Sequence, residues 1–93
     1  MESFLYRVNK GENLISISEK LQVPPFRIIS DNSLKCEVHA GQVLVIKKQN
    51  ARLYRVQPFD TIDGLCQRFC IAKKDFLYLN RTEFIYFGLL LYI

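Results

Sequence analysis

The sequence predicts an α+β protein written as two β-α-α-β units in tandem, each a two-stranded antiparallel sheet with two helices on one face. Three observations predict it. The run Leu5-Tyr6-Arg7-Val8 returns as Leu53-Tyr54-Arg55-Val56, a shift of 48 residues. The apolar positions that follow keep that register: Leu14 meets Ile62, Ile17 meets Leu65, Leu21 meets Phe69, Val23 meets Ile71 and Ile28 meets Phe76. Within each unit the hydrophobic period changes from alternation to helical spacing and back again.

Each unit opens on an alternating strand, Tyr6-Arg7-Val8 or Tyr54-Arg55-Val56. A turn then leads to Asn13 or Thr61, whose side-chain oxygens suit a helix N-cap. A short helix follows, with Leu14, Ile17 and Leu21 on one face in the first unit and Ile62, Leu65 and Phe69 in the second. A second helix is predicted from about Pro25 to Asp31, where proline fits the first turn, and its counterpart from about Lys73 to Leu79. Asn32 meets Asn80, both read as residues that tie down loop backbone. One residue is then lost, so that Gly41 meets Gly88, Leu44 meets Leu91 and Ile46 meets Ile93. The closing strands are Gln42 to Ile46 and Leu89 to Ile93. The polar stretch KKQNAR separates the halves, which places the first unit at 4–47, a linker at 48–52 and the second unit at 53–93. The first core is expected to hold Tyr6, Val8, Leu14, Ile17, Leu21, Val23, Ile28, Leu44 and Ile46.

Composition narrows the function. Of the 93 residues 49% are hydrophobic, which is enough for a core, although two cores of under 50 residues each need dense packing or mutual contact. The net charge of +4 comes from scattered Lys and Arg rather than a basic stripe, which argues against a nucleic-acid partner and fits weak attraction to an anionic surface. Cys36, Cys66 and Cys70 are an odd set and so no disulfide framework; Cys66 and Cys70 lie four apart in a segment read as helix, and buried or half-buried free thiols are expected. No metal site is expected, with one histidine and no CxxC, and no cofactor. The first residues lack a basic start followed by an apolar run, so no signal peptide is read, which leaves the cytoplasm, the cell wall or a spore as locations. The apolar end from Phe84 to Ile93 is too short for a membrane span of roughly 20 residues and is read as a buried strand.

In order, these residues resemble the LysM family. Its repeat reads tyrosine-x-valine-x-x-glycine-aspartate-threonine-leucine, then an isoleucine-centred helix, a valine, an asparagine and a late glycine-glutamine-x-leucine-x-isoleucine. The first unit offers Tyr6-Arg7-Val8-Asn9-Lys10-Gly11-Glu12-Asn13-Leu14, then Ile17, Val23, Asn32 and Gly41-Gln42-Val43-Leu44-Val45-Ile46. The second offers Tyr54-Arg55-Val56-Gln57-Pro58-Phe59-Asp60-Thr61-Ile62, then Leu65, Ile71, Asn80 and Gly88-Leu89-Leu90-Leu91-Tyr92-Ile93. Two departures stand out. Asp31 takes a place usually buried and aliphatic, where the second unit keeps Leu79. Phe59 takes the place of the turn glycine, so the second turn is expected to be reshaped.

The resemblance implies non-catalytic binding of N-acetylglucosamine polymers, peptidoglycan or chitin-like, in a shallow groove between the turn before the first helix and the loop after the second. Its walls in the first unit are Gly11, Glu12, Asn13 and Leu14, facing Ser33, Leu34, Cys36, Glu37 and Val38. Gly11 would allow close approach of the sugar to the backbone, and Leu14 or Val38 would meet the acetyl methyl. The plainer alternative is that Asn13 only caps a helix and Leu14 only fills a core. The counterparts in the second unit are Phe59, Asp60, Thr61, Ile62, Phe84, Ile85 and Tyr86. The first unit is expected to carry most of the binding, with Phe59 covering the second groove or packing on Phe84 or Tyr86; the alternative is an exposed ring that stacks on a sugar face. An enzyme is not expected, because His39 has no counterpart in the other unit, its three-residue spacing from Cys36 on a loop is no evidence of a catalytic pair, and the carboxylates show no paired pattern. The alternative function is protein interaction or assembly in a cell envelope or spore layer, with Phe59, Phe84, Tyr86 and Phe87 as a docking patch or as a seal between the halves.

Overall fold

The computed structural model describes residues 2–93. The elements run β1 (Glu2–Arg7), α1 (Leu14–Leu21), α2 (Pro25–Asn32), β2 (Val43–Lys48), β3 (Leu53–Arg55), α3 (Ile62–Arg68), α4 (Lys73–Asn80) and β4 (Leu90–Tyr92). The order β-α-α-β therefore occurs twice. β1 pairs antiparallel with β2, Tyr6 opposite Leu44, and β3 pairs antiparallel with β4, Tyr54 opposite Leu91. The two sheets are separate. β2 runs on through Lys48, opposite Glu2, so the first residue expected in the linker belongs to a strand.

The helix ends repeat one chemistry. Asn13 accepts from the Ser16 amide at 2.8 Å while the Ser16 hydroxyl accepts from the Asn13 amide at 2.9 Å, a reciprocal cap. Thr61 caps α3 through the Gly64 amide at 3.0 Å. α1 stops on the left-handed Gln22, φ 58°, and α3 stops on Phe69, φ −100°, with the left-handed Cys70, φ 55°, directly after it. The next amide closes the turn, Val23 onto Ser18 O at 3.2 Å and Ile71 onto Cys66 O at 2.9 Å. Cys70 therefore lies outside the helix and shares no helical face with Cys66. Only Cys66 is buried; Cys36 and Cys70 are exposed, contrary to the expectation of three sheltered thiols.

Val8, Ile17, Val23, Ile28, Val38, Leu44 and Ile46 form the first core. Tyr6, Leu14 and Leu21, expected inside it, are half-buried at its edge. Val56, Leu65, Cys66, Phe76, Leu89 and Leu91 form the second, and Phe26 of the first half packs against it. Asn32 and Asn80 do not tie down loops. Each clamps a closing strand to its helix: Asn32 Nδ2 donates to Val45 O at 2.8 Å and Oδ1 accepts from Val45 N at 2.7 Å. Asn80 does the same to Tyr92, at 2.9 and 2.6 Å. The amide side chain stands in for a third strand along a sheet of only two.

The halves meet through β4, α2 and α4. β4 is buried on both faces, as its uninterrupted apolar sequence requires. Arg27 of α2 reaches across and donates to Tyr78 O and Leu79 O, both at 3.1 Å, satisfying carbonyls of the last turn of α4. Asp31 lies 3.5 Å from Arg27 Nε, and both side chains are almost wholly buried. This pairing explains the carboxylate at a position expected to be aliphatic. Arg55 and Glu19 add an exposed ion pair between the halves at 2.6 Å.

The turn at Phe59 is kept rather than reshaped. Gly11 has φ 87° and Phe59 has φ 70°. The Glu12 amide closes onto Asn9 O at 3.1 Å, and the Asp60 amide closes onto Gln57 O at 3.2 Å. The Phe59 side chain is 101% exposed, so it neither covers a groove nor packs on Phe84 or Tyr86. A left-handed non-glycine residue costs roughly 1–2 kcal/mol, and the extra chain entropy lost on ordering a glycine offsets roughly 0.5–1 kcal/mol of that. Phe59→Gly is therefore expected to stabilise the protein by about 0.5–1 kcal/mol in urea denaturation. A destabilised variant would mean that the ring makes a contact.

Candidate functional site

The turn before each first helix is held by a tyrosine, a carboxylate and a cation. The Tyr6 hydroxyl donates to both Glu12 oxygens at 2.7 Å, and Lys20 Nζ donates to the Tyr6 hydroxyl at 3.1 Å. The Asn9 amide donates to Glu12 Oε1 at 2.8 Å. In the second half Tyr54 donates to Asp60, the Gln57 amide donates to Asp60 Oδ2 at 2.8 Å, and Arg68 donates to the Tyr54 hydroxyl at 2.7 Å. These carboxylates brace the turns from within.

The bracing sets a pH dependence. Glu12 is held below its ordinary 4.5 chiefly by the Asn9 amide and then by the Tyr6 hydroxyl. Asp60 is held below 3.8 chiefly by the Tyr54 hydroxyl and then by the Gln57 amide. The folded protein therefore binds these protons more weakly than the unfolded chain. Their stabilisation is complete above about pH 4.5 and is lost as pH falls through the lowered folded values. Melting temperature is expected to be flat from neutral pH down to about 5 with respect to these groups and to fall below that. Glu12→Gln with Asp60→Asn should flatten the acid limb, and an unchanged slope would assign it to other carboxylates.

A cleft of about 270 Å³ lies beside this turn in the first half, lined by Leu14, Ile29, Leu34, Lys35, Cys36 and Glu37. Leu14 comes from the first turn of α1, Ile29 from α2, and the other four from the loop between α2 and β2. Its lining is apolar apart from Lys35 and Glu37. Glu37 Oε1 accepts from the Leu14 amide at 2.8 Å and from the Val38 amide at 3.0 Å, joining the loop to the start of α1. The second half has a cleft in the same place, about 340 Å³, lined by Ile62, Lys73, Leu77, Glu83 and Phe84.

Residues 6–47 match the LysM domain. That family match covers the two helices and the loop that build the first cleft. LysM domains are binding domains and not catalytic ones. No curated protein matches the chain. Solved structures that it resembles include the spore cortex-lytic enzyme SleL of Bacillus cereus, at 22% identity and a TM-score of 0.48, covering 100% of this chain and 23% of that one. SleL of Bacillus megaterium QM B1551 matches at 24% identity and 0.49, over 98% and 22%. The chain thus spans less than a quarter of either enzyme's length.

Of the residues expected to form the first groove, the structure brings Leu14, Leu34, Cys36 and Glu37 together at the first cleft. Glu12 braces the turn, Asn13 caps α1, Ser33 ends α2 with φ 52°, and Val38 is in the core. Gly11 lies outside the lining, and a Cβ there would meet nothing within 4 Å. Its glycine answers the turn's positive φ, and bulk at this position would not block the cleft. Ile29 and Lys35 were not expected. The Ile28-Ile29 pair was the available signal for Ile29, since only one of two neighbours on a helix can face the core. In the second half Ile62 and Phe84 line the cleft, Asp60 and Thr61 shape the turn, Ile85 packs on the second core, and Tyr86 meets Phe26 edge-on at 6.5 Å. Among the described residues no group of His, Cys, Asp and Glu gathers as a metal site, and no helix is long and apolar enough to cross a membrane.

Proposed function

We propose that the protein is a non-catalytic module that binds glycans rich in N-acetylglucosamine, peptidoglycan or chitin-like, at a cell wall or spore layer, mainly through the first cleft. One observation carries this reading: the 270 Å³ cleft, apolar with a backbone donor at its lip, is built entirely from residues inside the LysM match. An N-acetyl group asks for that combination, a small apolar surface for its methyl and main-chain partners for its amide. The wider reading is of two LysM-like units, 4–47 and 53–93, joined by a linker at 48–52. It is supported by the paired caps, the paired turn braces and the paired clefts. Titration of the full chain with an N-acetylglucosamine tetramer should move the amides of Leu14, Leu34, Lys35 and Cys36, with affinity on the order of micromolar to millimolar. Absence of any shift at millimolar sugar would remove the proposal.

A second reading, an assembly module that binds another envelope or spore protein, is favoured by the exposed aromatics Phe59, Phe84, Tyr86 and Phe87. Tyr86 and Phe87 also line a cleft between the halves with Ile15 and Pro25. Pull-down on insoluble chitin and on peptidoglycan separates the readings. Retention on either supports the glycan module, and retention on neither supports the assembly module.

A further inference from the structure

The first cleft already contains an oxygen ligand of its own. The carboxylate of Glu37 sits on the Leu14 amide at 2.8 Å and on the Val38 amide at 3.0 Å, while Glu37 as a residue is exposed to solvent. Leu14 opens α1, an eight-residue helix, so its amide has no acceptor within the helix. A carboxylate held there is chemically what a bound acetamide carbonyl would be, an oxygen accepting from a backbone N–H beside an apolar wall. The second half has no such arrangement. Its cleft carries Glu83 and Phe84, and among the described residues no hydrogen bond joins a carboxylate to the Ile62 amide.

We propose that Glu37 is a resident ligand of the first cleft, which an incoming N-acetyl group must displace before it can use the Leu14 and Val38 amides. The proposal rests on the glycan-binding reading of that cleft. A charged acceptor bonds an amide more strongly than a neutral carbonyl does, so displacement weakens the site. Glu37 then sets the affinity of the cleft, and the sugar competes with the protein's own side chain. The exposed position of the residue lets the carboxylate swing into water when it leaves.

Calorimetric titration of the full chain with the N-acetylglucosamine tetramer tests this with Glu37→Ala, Glu37→Gln and Leu14→Pro. Affinity is expected to rise in the order Glu, Gln, Ala, with Glu37→Ala about three- to tenfold tighter than the parent. Leu14→Pro deletes one of the two contested amides, at a position where a helix tolerates proline. Asn13 before it already has the extended backbone that proline requires, φ −128° and ψ 176°. In that background only the Val38 amide is still contested, so Glu37→Ala should raise affinity clearly less than it does in the parent. The opposite order, with Ala weakest and Gln between, would overturn the proposal and make Glu37 a clamp that shapes the cleft or a direct acceptor for the sugar. The same gain from Glu37→Ala with and without the Leu14 amide would also overturn it. Binding by none of the proteins would remove the glycan reading itself, an outcome distinct from a reversed order. If Glu37→Ala perturbs the loop, the Gln variant keeps shape and size and still has to bind more tightly than the parent.

Discussion

Asn80→Ala is expected to destabilise the full chain by about 2–6 kcal/mol, because it strips the buried amide and carbonyl of Tyr92 of their partners at roughly 1–3 kcal/mol each. The Asn80 side chain is completely buried. Its Nδ2 donates to Tyr92 O at 2.9 Å and to Phe76 O at 3.1 Å, and its Oδ1 accepts from Tyr92 N at 2.6 Å. Asn80→Asp should be at least as damaging, since a carboxylate has no donor to offer the two carbonyls. Asn32 makes the corresponding three bonds from a part-buried position, so Asn32→Ala should cost less than Asn80→Ala. Urea denaturation of the three variants checks the ranking. A loss under about 1 kcal/mol for Asn80→Ala would mean that β4 is held by packing alone.

The repeat made the fold legible. A shift of 48 residues, falling to 47 for the closing strands, aligned every strand and helix with a counterpart, and caps such as Asn13 and Thr61 announced where helices begin. What the sequence withheld are the features in which a residue acts across the repeat instead of within it. Asp31 read as a departure from a buried aliphatic pattern, because its partner Arg27 serves helix α4 in the other half. Phe59 read as a reshaped turn, because propensity argues against phenylalanine at positive φ. The Tyr54, Asp60 and Gln57 bonds hold that turn in place at the cost of some strain. The helix stop before Cys70 was hidden by the four-residue spacing from Cys66, which matches a helical turn equally well. Of the site, the loop residues Leu34, Cys36 and Glu37 were reachable through the family pattern. Lys35 was not, and Ile29 only through its pairing with Ile28, since a cleft wall is chosen by which side chains are left over after the core is filled.

Arg27→Ala is expected to cost about 3–5 kcal/mol, as removal of one partner of a buried ion pair does. The loss has two parts. Asp31 is left as a carboxylate with 6% side-chain exposure and no cation beside it. Tyr78 O and Leu79 O lose the guanidinium that satisfied them at 3.1 Å each. For a domain of this size a change of 1 kcal/mol moves the melting temperature by roughly 4–8 °C, so the fall should exceed about 12 °C. The pair itself is not a source of stability. Arg27 Nε and Asp31 Oδ2 make no well-formed hydrogen bond, and both are buried. Replacing both with apolar residues, Arg27→Met with Asp31→Leu, should recover most of the loss, because a desolvated pair exchanged for hydrophobic packing is often neutral or better. What the double variant should not recover is the end of α4. Its last carbonyls lose their donor in either protein, so amide exchange around Arg81 and Thr82 should accelerate in both. That pattern distinguishes an arginine that joins the two halves from one that merely balances a charge. If Asp31→Leu alone were as stable as the parent and exchange at Arg81 were unchanged by Arg27→Ala, the halves would be held together by β4 and Phe26 without Arg27.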